Sequence, residues 1–269
     1  MAHDFDTLLR LHPRGDDVFE NEPALDGFLY GGYTLALAVR AAVRTVAPGL
    51  ALHSVHAVFP SSGALGVPLR LGVRAVRDGR ASAVRLVTVQ QDRNTALLVT
   101  ATFHAGGEEG VNWQEPQPPL PCPPEEIAPD LVPLFGMDAF DSRPAGGHRV
   151  DDGGAVIPSL HPYWARPHLP LPEDPGLHAA VVAFVSDYMV FVVGRSPDVP
   201  PAAGVRGVTL DHTLWFHRPV DAGEWLLYAA EPMRVLGDRG LIRGTVRTRD
   251  GEVVASFAQE VLTFLPGEG

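Results

Sequence analysis

The chain has 269 residues, 45% of them hydrophobic, which is enough for a packed core and too many for a disordered protein. All 21 basic residues are arginine and the formal charge is −11 at pH 7, which excludes a general nucleic-acid or membrane-surface binder, since both need a basic face. The single cysteine, Cys122, excludes an intramolecular disulfide and any multi-cysteine metal site.

In chain order, "MAHDFDTLLRLHPRGDD" has no apolar core of the kind a cleavable signal needs. "DTLLRLH" reads as a weak strand. "GGYTLALAVRAAVRTVAPG" predicts a helix, opened by glycines, filled by alanine and leucine and closed at Pro48-Gly49. Three strand-like runs follow, "LHSVHAVF", "PLRLGVRAVRDG" and "SAVRLVTVQQDRNTALLVTATF", the last a hairpin around Asp92-Arg93-Asn94. Residues 106–154 turn rich in Pro, Gly and acids, around one apolar island, "LVPLFGMDAF". Cys122 lies there in "PPLPCPPEE", which reads as linker. Weak strands at "AFDSRP" and "PYWARPH" precede a second helix, "EDPGLHAAVVAFVSDYMVFVV", with Asp174 as N-cap and Pro175 at its first position. Then come "VTLDHTLWFH", "EWLLYAAEPMRV" and "GLIRGTVRTRDGEVVASFAQEVLTF", again with a hairpin, at Arg249-Asp250-Gly251. The longest apolar run, residues 177–193, is broken by His178 and Asp187 and is short for a membrane span. The expectation is a cytoplasmic protein that does not engage a membrane.

A helix followed by antiparallel strands occurs twice, which predicts an α+β chain made of two duplicated units. Their expected bounds are residues 1–105 and 138–269, with a Pro/Gly-rich linker at 106–137.

Two features carry chemistry. Asp187 falls inside a run that is apolar on every side, where a carboxylate is costly unless hydrogen-bonded, paired or protonated. It is either a satisfied structural acid or a general base with a displaced pKa. The first helix has no acid between Phe28 and Val46, so the duplicated units are chemically unequal and one site per chain is expected. In "VTLDHTLWFHRP", strict alternation places Thr209, Asp211, Thr213 and Trp215 on one face, opposite Val208, Leu210, His212, Leu214 and Phe216. His212 and His217 read as core or edge histidines without a metal-ligand set, and no G-x-S-x-G elbow occurs.

Taken together, "LPLPEDPGLHAAVVAFVSDYM", "TLDHTLWFHRP", "GEWLLYAAE" and "GDRGLIRGTVRTRDGEVVASFAQE", with "LYGGYTLALAVRAA", "LHSVHAVF" and "VRDGRASAVRLVTVQQ" in the first half, resemble the acyl-CoA thioesterase II family. The chain departs from that pattern at "PSSGALG" and at the "AS" after "RDGR". The resemblance implies a double hotdog fold, in which each unit wraps an antiparallel sheet around a long helix. It also implies hydrolysis of acyl-CoA to free acid and CoA, with no cofactor and no metal. The family's acid, hydroxyl and amide match Asp187, Thr209 and Gln259, which would act together on a water.

Gly31 and Gly32, at a helix start, are candidate donors to the developing oxyanion, or simply packing glycines. Asp211 would orient a neighbour such as His212 or an arginine. Arg74, Arg77 and Arg80, with Arg239 and Arg243, are candidates for the CoA phosphates, or solvated hairpin charges. Other readings are a non-catalytic acyl-CoA or lipid binder on the same fold, and a hotdog dehydratase or hydratase. Exposed sheet edges and faces point to a homo-oligomer.

Overall fold

The computed structural model describes residues 4–23, 29–106, 110–128, 139–146, 148–150, 156–158, 161–188 and 206–264. The Asp4 side chain accepts the Asp6 N–H and starts a one-turn helix, α1 (Phe5–Leu8), where "DTLLRLH" reads as strand. Pairing begins only at β1 (Leu11–Gly15) and β2 (Val18–Asn21). Helix α2 (Gly31–Val43) follows, then β3 (Ala51–Val58), β4 (Arg70–Asp78), β5 (Ser82–Gln91) and β6 (Asn94–His104). Asp92 makes the β5–β6 turn with a left-handed φ of 51°. The second half contains β7 (Phe140–Pro144), a separate hairpin of β8 (His148–Val150) and β9 (Val156–Pro158), β10 (Tyr163–Pro167) and helix α3 (Pro175–Ser186). It ends with β11 (Arg206–Phe216), β12 (Leu226–Leu236), β13 (Arg239–Arg247) and β14 (Val253–Phe264).

Twelve strands form one antiparallel sheet in the order β1-β2-β4-β5-β6-β3-β11-β14-β13-β12-β10-β7. Outward from the β3–β11 seam, β6, β5, β4, β2 and β1 on one side are matched by β14, β13, β12, β10 and β7 on the other. Both helices are buried on nearly every side, because each lies against the inner face of the sheet and against the other helix. They run antiparallel. Gly32 at the start of α2 meets the Phe184 carbonyl near the end of α3, and Gly176 at the start of α3 meets Val43. A Cβ at Gly32 would fall on that carbonyl, so the close approach depends on glycine.

Helix α3 begins as expected, with Pro175 first and the Asp174 side chain accepting the N–H groups of Gly176 and Leu177. Its end corrects the reading of Asp187, which is the C-cap at φ −86°, ψ −3° rather than a mid-helix residue. Residues 189–205, including the remainder of the apolar run, lie outside the described residues.

The Pro-rich stretch is bound to the second half. Trp164 donates its indole N–H to the Cys122 carbonyl at 3.1 Å, and Arg247 donates to the Pro118 carbonyl at 2.8 Å. Leu120 and Ile127 cover a cluster of Trp164, Trp225 and Leu227, separate from the main core.

Candidate active site

One row of side chains crosses the inner face of the sheet in register: Ile242, Gln259, His212, Ala57, Val99, Val87 and Val73. All are buried. Five are apolar, and Gln259 and His212 are fully buried polar groups directly opposite each other. Buried amides and imidazoles are tolerated only when hydrogen-bonded, and both are. The carboxylate that completes the cluster comes from the end of α3. Asp187, 6% exposed, accepts the Gly32 N–H on Oδ2 at 2.7 Å. On Oδ1 it accepts the Thr209 hydroxyl at 2.9 Å and Gln259 Nε2 at 2.5 Å. Gln259 Nε2 also donates to Thr209 Oγ1 at 2.7 Å. Asp187, Thr209 and Gln259 therefore meet, although they are 22 and 50 residues apart along the chain.

Their meeting requires a departure from strand alternation. The β11–β14 register shifts between Thr209 and Asp211, a bulge at which one extra residue is absorbed. The two-residue period read from the sequence puts Thr209 and His212 on opposite faces, but across the bulge both reach the Gln259 side chain. Asp211 also differs from expectation. It accepts the Glu260 N–H at 3.0 Å beside the bulge and orients neither His212 nor an arginine.

Burial raises the Asp187 pKa to about 6, against the opposing effect of the hydrogen bonds from Gln259, Thr209 and Gly32. Its carboxylate sits where the negative end of α3 meets the positive end of α2. Tyr30, the N-cap of α2, makes no side-chain cap bond, and Asp187 does that work from the other half of the chain. The Gly32 N–H is thus a clamp on the acid, and of the two readings of Gly32, oxyanion donor or packing glycine, its close approach to the Phe184 carbonyl fits the second. At Gly31 a Cβ would lie 2.8 Å from Asp187 Oδ2 and 3.4 Å from the Phe59 ring.

Sequence reasoning undervalued His212. Its Nδ1 lies 2.5 Å from Gln259 Oε1 and its Nε2 lies 3.1 Å from Ser186 Oγ. Burial lowers its pKa to about 4, despite the Gln259 hydrogen bond. Only the cross-strand pairing with Gln259 reveals its place, and pairing is not visible in the local pattern.

The arginines do not converge on Asp187. Arg80 is exposed in the β4–β5 turn, beside the Ser82↔His104 pair. That pair is six strand positions along β6 from Leu98, the partner of Val58 at the Asp187 end, a distance of roughly 20 Å. Arg74 and Arg77 are exposed on β4. Arg239 lies 3.6 Å from Glu260, and Arg243 is hydrogen-bonded to Glu231 at 2.7 Å. Arg239, exposed like Arg243, is level with Val208, two strands away through Leu262. Among the described residues no three His, Cys, Asp or Glu side chains cluster as metal ligands, and no helix is long and apolar enough to cross a membrane.

A seam-joined pair of helix-on-sheet halves, sharing one antiparallel sheet, is the architecture of the double hotdog proteins. The crystal structure of acyl-CoA thioesterase II TesB2 from Mycobacterium marinum matches with a TM-score of 0.78 at 28% identity, covering 98% of each chain. The tesB protein of Mycobacterium avium subspecies paratuberculosis matches at 0.79 and 26% identity, over 97% of this chain and 98% of that one. Acyl-CoA thioesterase 2 of Haemophilus influenzae is 28% identical over 273 residues, 95% of each protein. Residues 21–104 match the acyl-CoA thioesterase N-terminal domain and residues 115–263 the C-terminal domain. The chain belongs to the acyl-CoA thioesterase family and is a thioester hydrolase.

Proposed function

We propose that the chain hydrolyses acyl-CoA to free acid and CoA with a water activated directly by Asp187. The observation that carries this reading is the convergence of Thr209 and Gln259 on one oxygen of a buried carboxylate whose pKa is raised to about 6. A base poised near neutrality is matched to removing a proton from water at cellular pH. A carboxylate has about four acceptor positions, and three are filled by Gly32, Thr209 and Gln259. The remaining position on Asp187 and the second lone pair of Thr209 Oγ1 are both acceptors. A water bound there donates its protons inward and presents its lone pairs outward, the orientation a nucleophile needs. With Gly32 committed to Asp187, the oxyanion falls to another amide of the first turn of α2, that of Gly31 being next in line.

In this reading Arg239 is the arginine of choice for the CoA phosphates, because it is level with the site and only loosely paired. We divide the chain into units at residues 1–105 and 138–269 with a linker between, and expect a homo-oligomer through the outer sheet face, where Val58, Leu98, Val208 and Trp215 are exposed.

The test is Asp187→Asn, with free-thiol release followed on a panel of saturated acyl-CoAs from short to long chain. The expected kcat loss is roughly 10²–10⁴-fold with KM little changed, the usual contribution of positioned proton transfer. Native turnover in a folded Asp187→Asn protein would remove Asp187 as the base.

A further inference from the structure

We infer that His212 is a positioning residue that sets the orientation of the Gln259 amide, so that its NH₂ faces Asp187 and Thr209. The inference rests on the role proposed for Asp187, Thr209 and Gln259 and adds what holds one of them in place. An amide has two ends that differ chemically but hardly in shape, and Gln259 fits its slot either way round. Turned one way, Nε2 donates to Asp187 Oδ1 and Thr209 Oγ1. Turned the other way, Oε1 would face a carboxylate oxygen at 2.5 Å, two acceptors in contact.

The group behind Gln259 fixes the same orientation from the other side. His212 Nδ1 lies 2.5 Å from Oε1, so it must carry a proton and donate. That holds whether the ring is neutral or charged. In the neutral ring, which burial favours, Nε2 is then an acceptor and takes the Ser186 hydroxyl proton at 3.1 Å, in place of the Ala183 carbonyl that the same hydroxyl reaches. Donation runs in one direction: Ser186 to His212 to Gln259 to Asp187.

The ring itself is held. It is stacked on Phe257 with centroids 5.9 Å apart and planes 7° from parallel. Phe257 in turn lies over Gly244, its cross-strand partner, where any Cβ would collide with the aromatic ring. His212 is fully buried, with no solvent-exposed surface from which to act as an acid or base of its own. Its distance from the Asp187 carboxylate, 3.9 Å, is too long for a direct hydrogen bond, so it acts through Gln259.

The experiment is a mutant cycle on the full chain, read by thiol release from acyl-CoA, with thermal melting on each preparation. His212→Leu fills the space without a donor and should lower kcat about 10²-fold, the loss expected of a misoriented positioning group, with KM within about threefold. In His212→Asn the side-chain amide nitrogen can stand near the Nδ1 position, and it should recover most of that loss. In a Gln259→Ala background, His212→Leu should cost nothing further, because the group it positions is gone. A His212→Leu protein with native kcat, an Asn variant as slow as the Leu variant, or independent losses in the two backgrounds would each overturn the inference. Should His212→Leu fail to fold, ¹⁵N spectra of the native protein provide the second measurement. They should show the His212 proton on Nδ1 at neutral pH, and a proton on Nε2 alone would overturn it. Asp187→Asn is run alongside. Native activity there removes the underlying mechanism, whereas its collapse beside a native His212→Leu protein removes only the positioning role.

Discussion

In the proposed mechanism Asp187 is both the base and a structural acceptor for Gly32, Thr209 and Gln259, and its titration separates the two. Its folded pKa of about 6 exceeds the ordinary 3.8. Activity that needs the ionised base should fall about tenfold per unit as pH drops below about 6 and be level above it. For stability the sign runs opposite to that of a salt-bridged acid. Because the folded pKa is raised, the folded state holds its proton longer than the unfolded chain. Stability is therefore fully present below about pH 4 and is lost as pH rises through 6, by on the order of 3 kcal/mol. His212 works the other way. Its pKa, lowered from 6.5 to about 4, makes stability fall as pH drops through that window. Asp187→Asn isolates the acid. At pH 4 the protonated acid still has acceptor lone pairs on both oxygens, whereas the amide has one acceptor oxygen for the same three donors, so the variant should melt below the native protein there. As pH rises to 7 the native protein should lose that lead. A melting-temperature difference that stays flat from pH 4 to 7 would contradict the raised pKa.

The antiparallel helices place different chemistry at their two ends. At one end Asp187, from the C-terminus of α3, holds the first turn of α2. At the other, Asp174 caps its own helix and pairs with Arg40 of α2 at 2.5 Å, with the Arg40 side chain 8% exposed. Asp174→Ala removes a cap worth about 1 kcal/mol. It also strands a buried guanidinium, a further cost of about 1–3 kcal/mol, toward the lower end because Asp174 is partly exposed. The expected result is a clearly lower melting temperature and an unchanged kcat at temperatures where the variant is folded. The 12 residues of α3 put roughly 18 Å between this end and Asp187. A large kcat loss in the folded variant would show that the two helix ends are coupled.

At the scale of the molecule, the sheet joins two similar halves that are chemically unequal among the described residues. The buried row is polar only at Gln259 and His212, and beyond the seam it continues as Ala57, Val99, Val87 and Val73. The first half therefore presents no second cluster along that row. The same register ranks the arginines. Arg239 is level with the site, and Arg80 is roughly 20 Å along the sheet from that level. Arg239→Ala should raise KM for acyl-CoA with little change in kcat, since a phosphate far from the carbonyl is bound alike in ground and transition states. Arg80→Ala should leave both constants near native. The reverse ranking in steady-state kinetics would move the phosphate site to the first half.

Local chemistry was enough to read several features from the sequence. The N-cap and first residue of α3, the hairpin turns at Asp92 and Gly251, and the apolar character of both helices depend on residues next to one another. Asp187 stood out because a carboxylate in an apolar run is costly wherever the run folds. What the local pattern could not decide was which distant groups met that carboxylate. The bulge at Thr209–Asp211 depends on how β11 pairs with β14, and without it strict alternation places Thr209 on the face opposite His212. The role of His212 depends on Gln259 lying directly across the strand pair, 47 residues later. The clamp on Asp187 depends on a glycine N–H 155 residues earlier, brought close because two small-residue helices pack antiparallel. Caps and turns are set by neighbours in the chain. Strand register and helix contact are set by burial of the whole sheet, and the site lies where those long-range pairings cross.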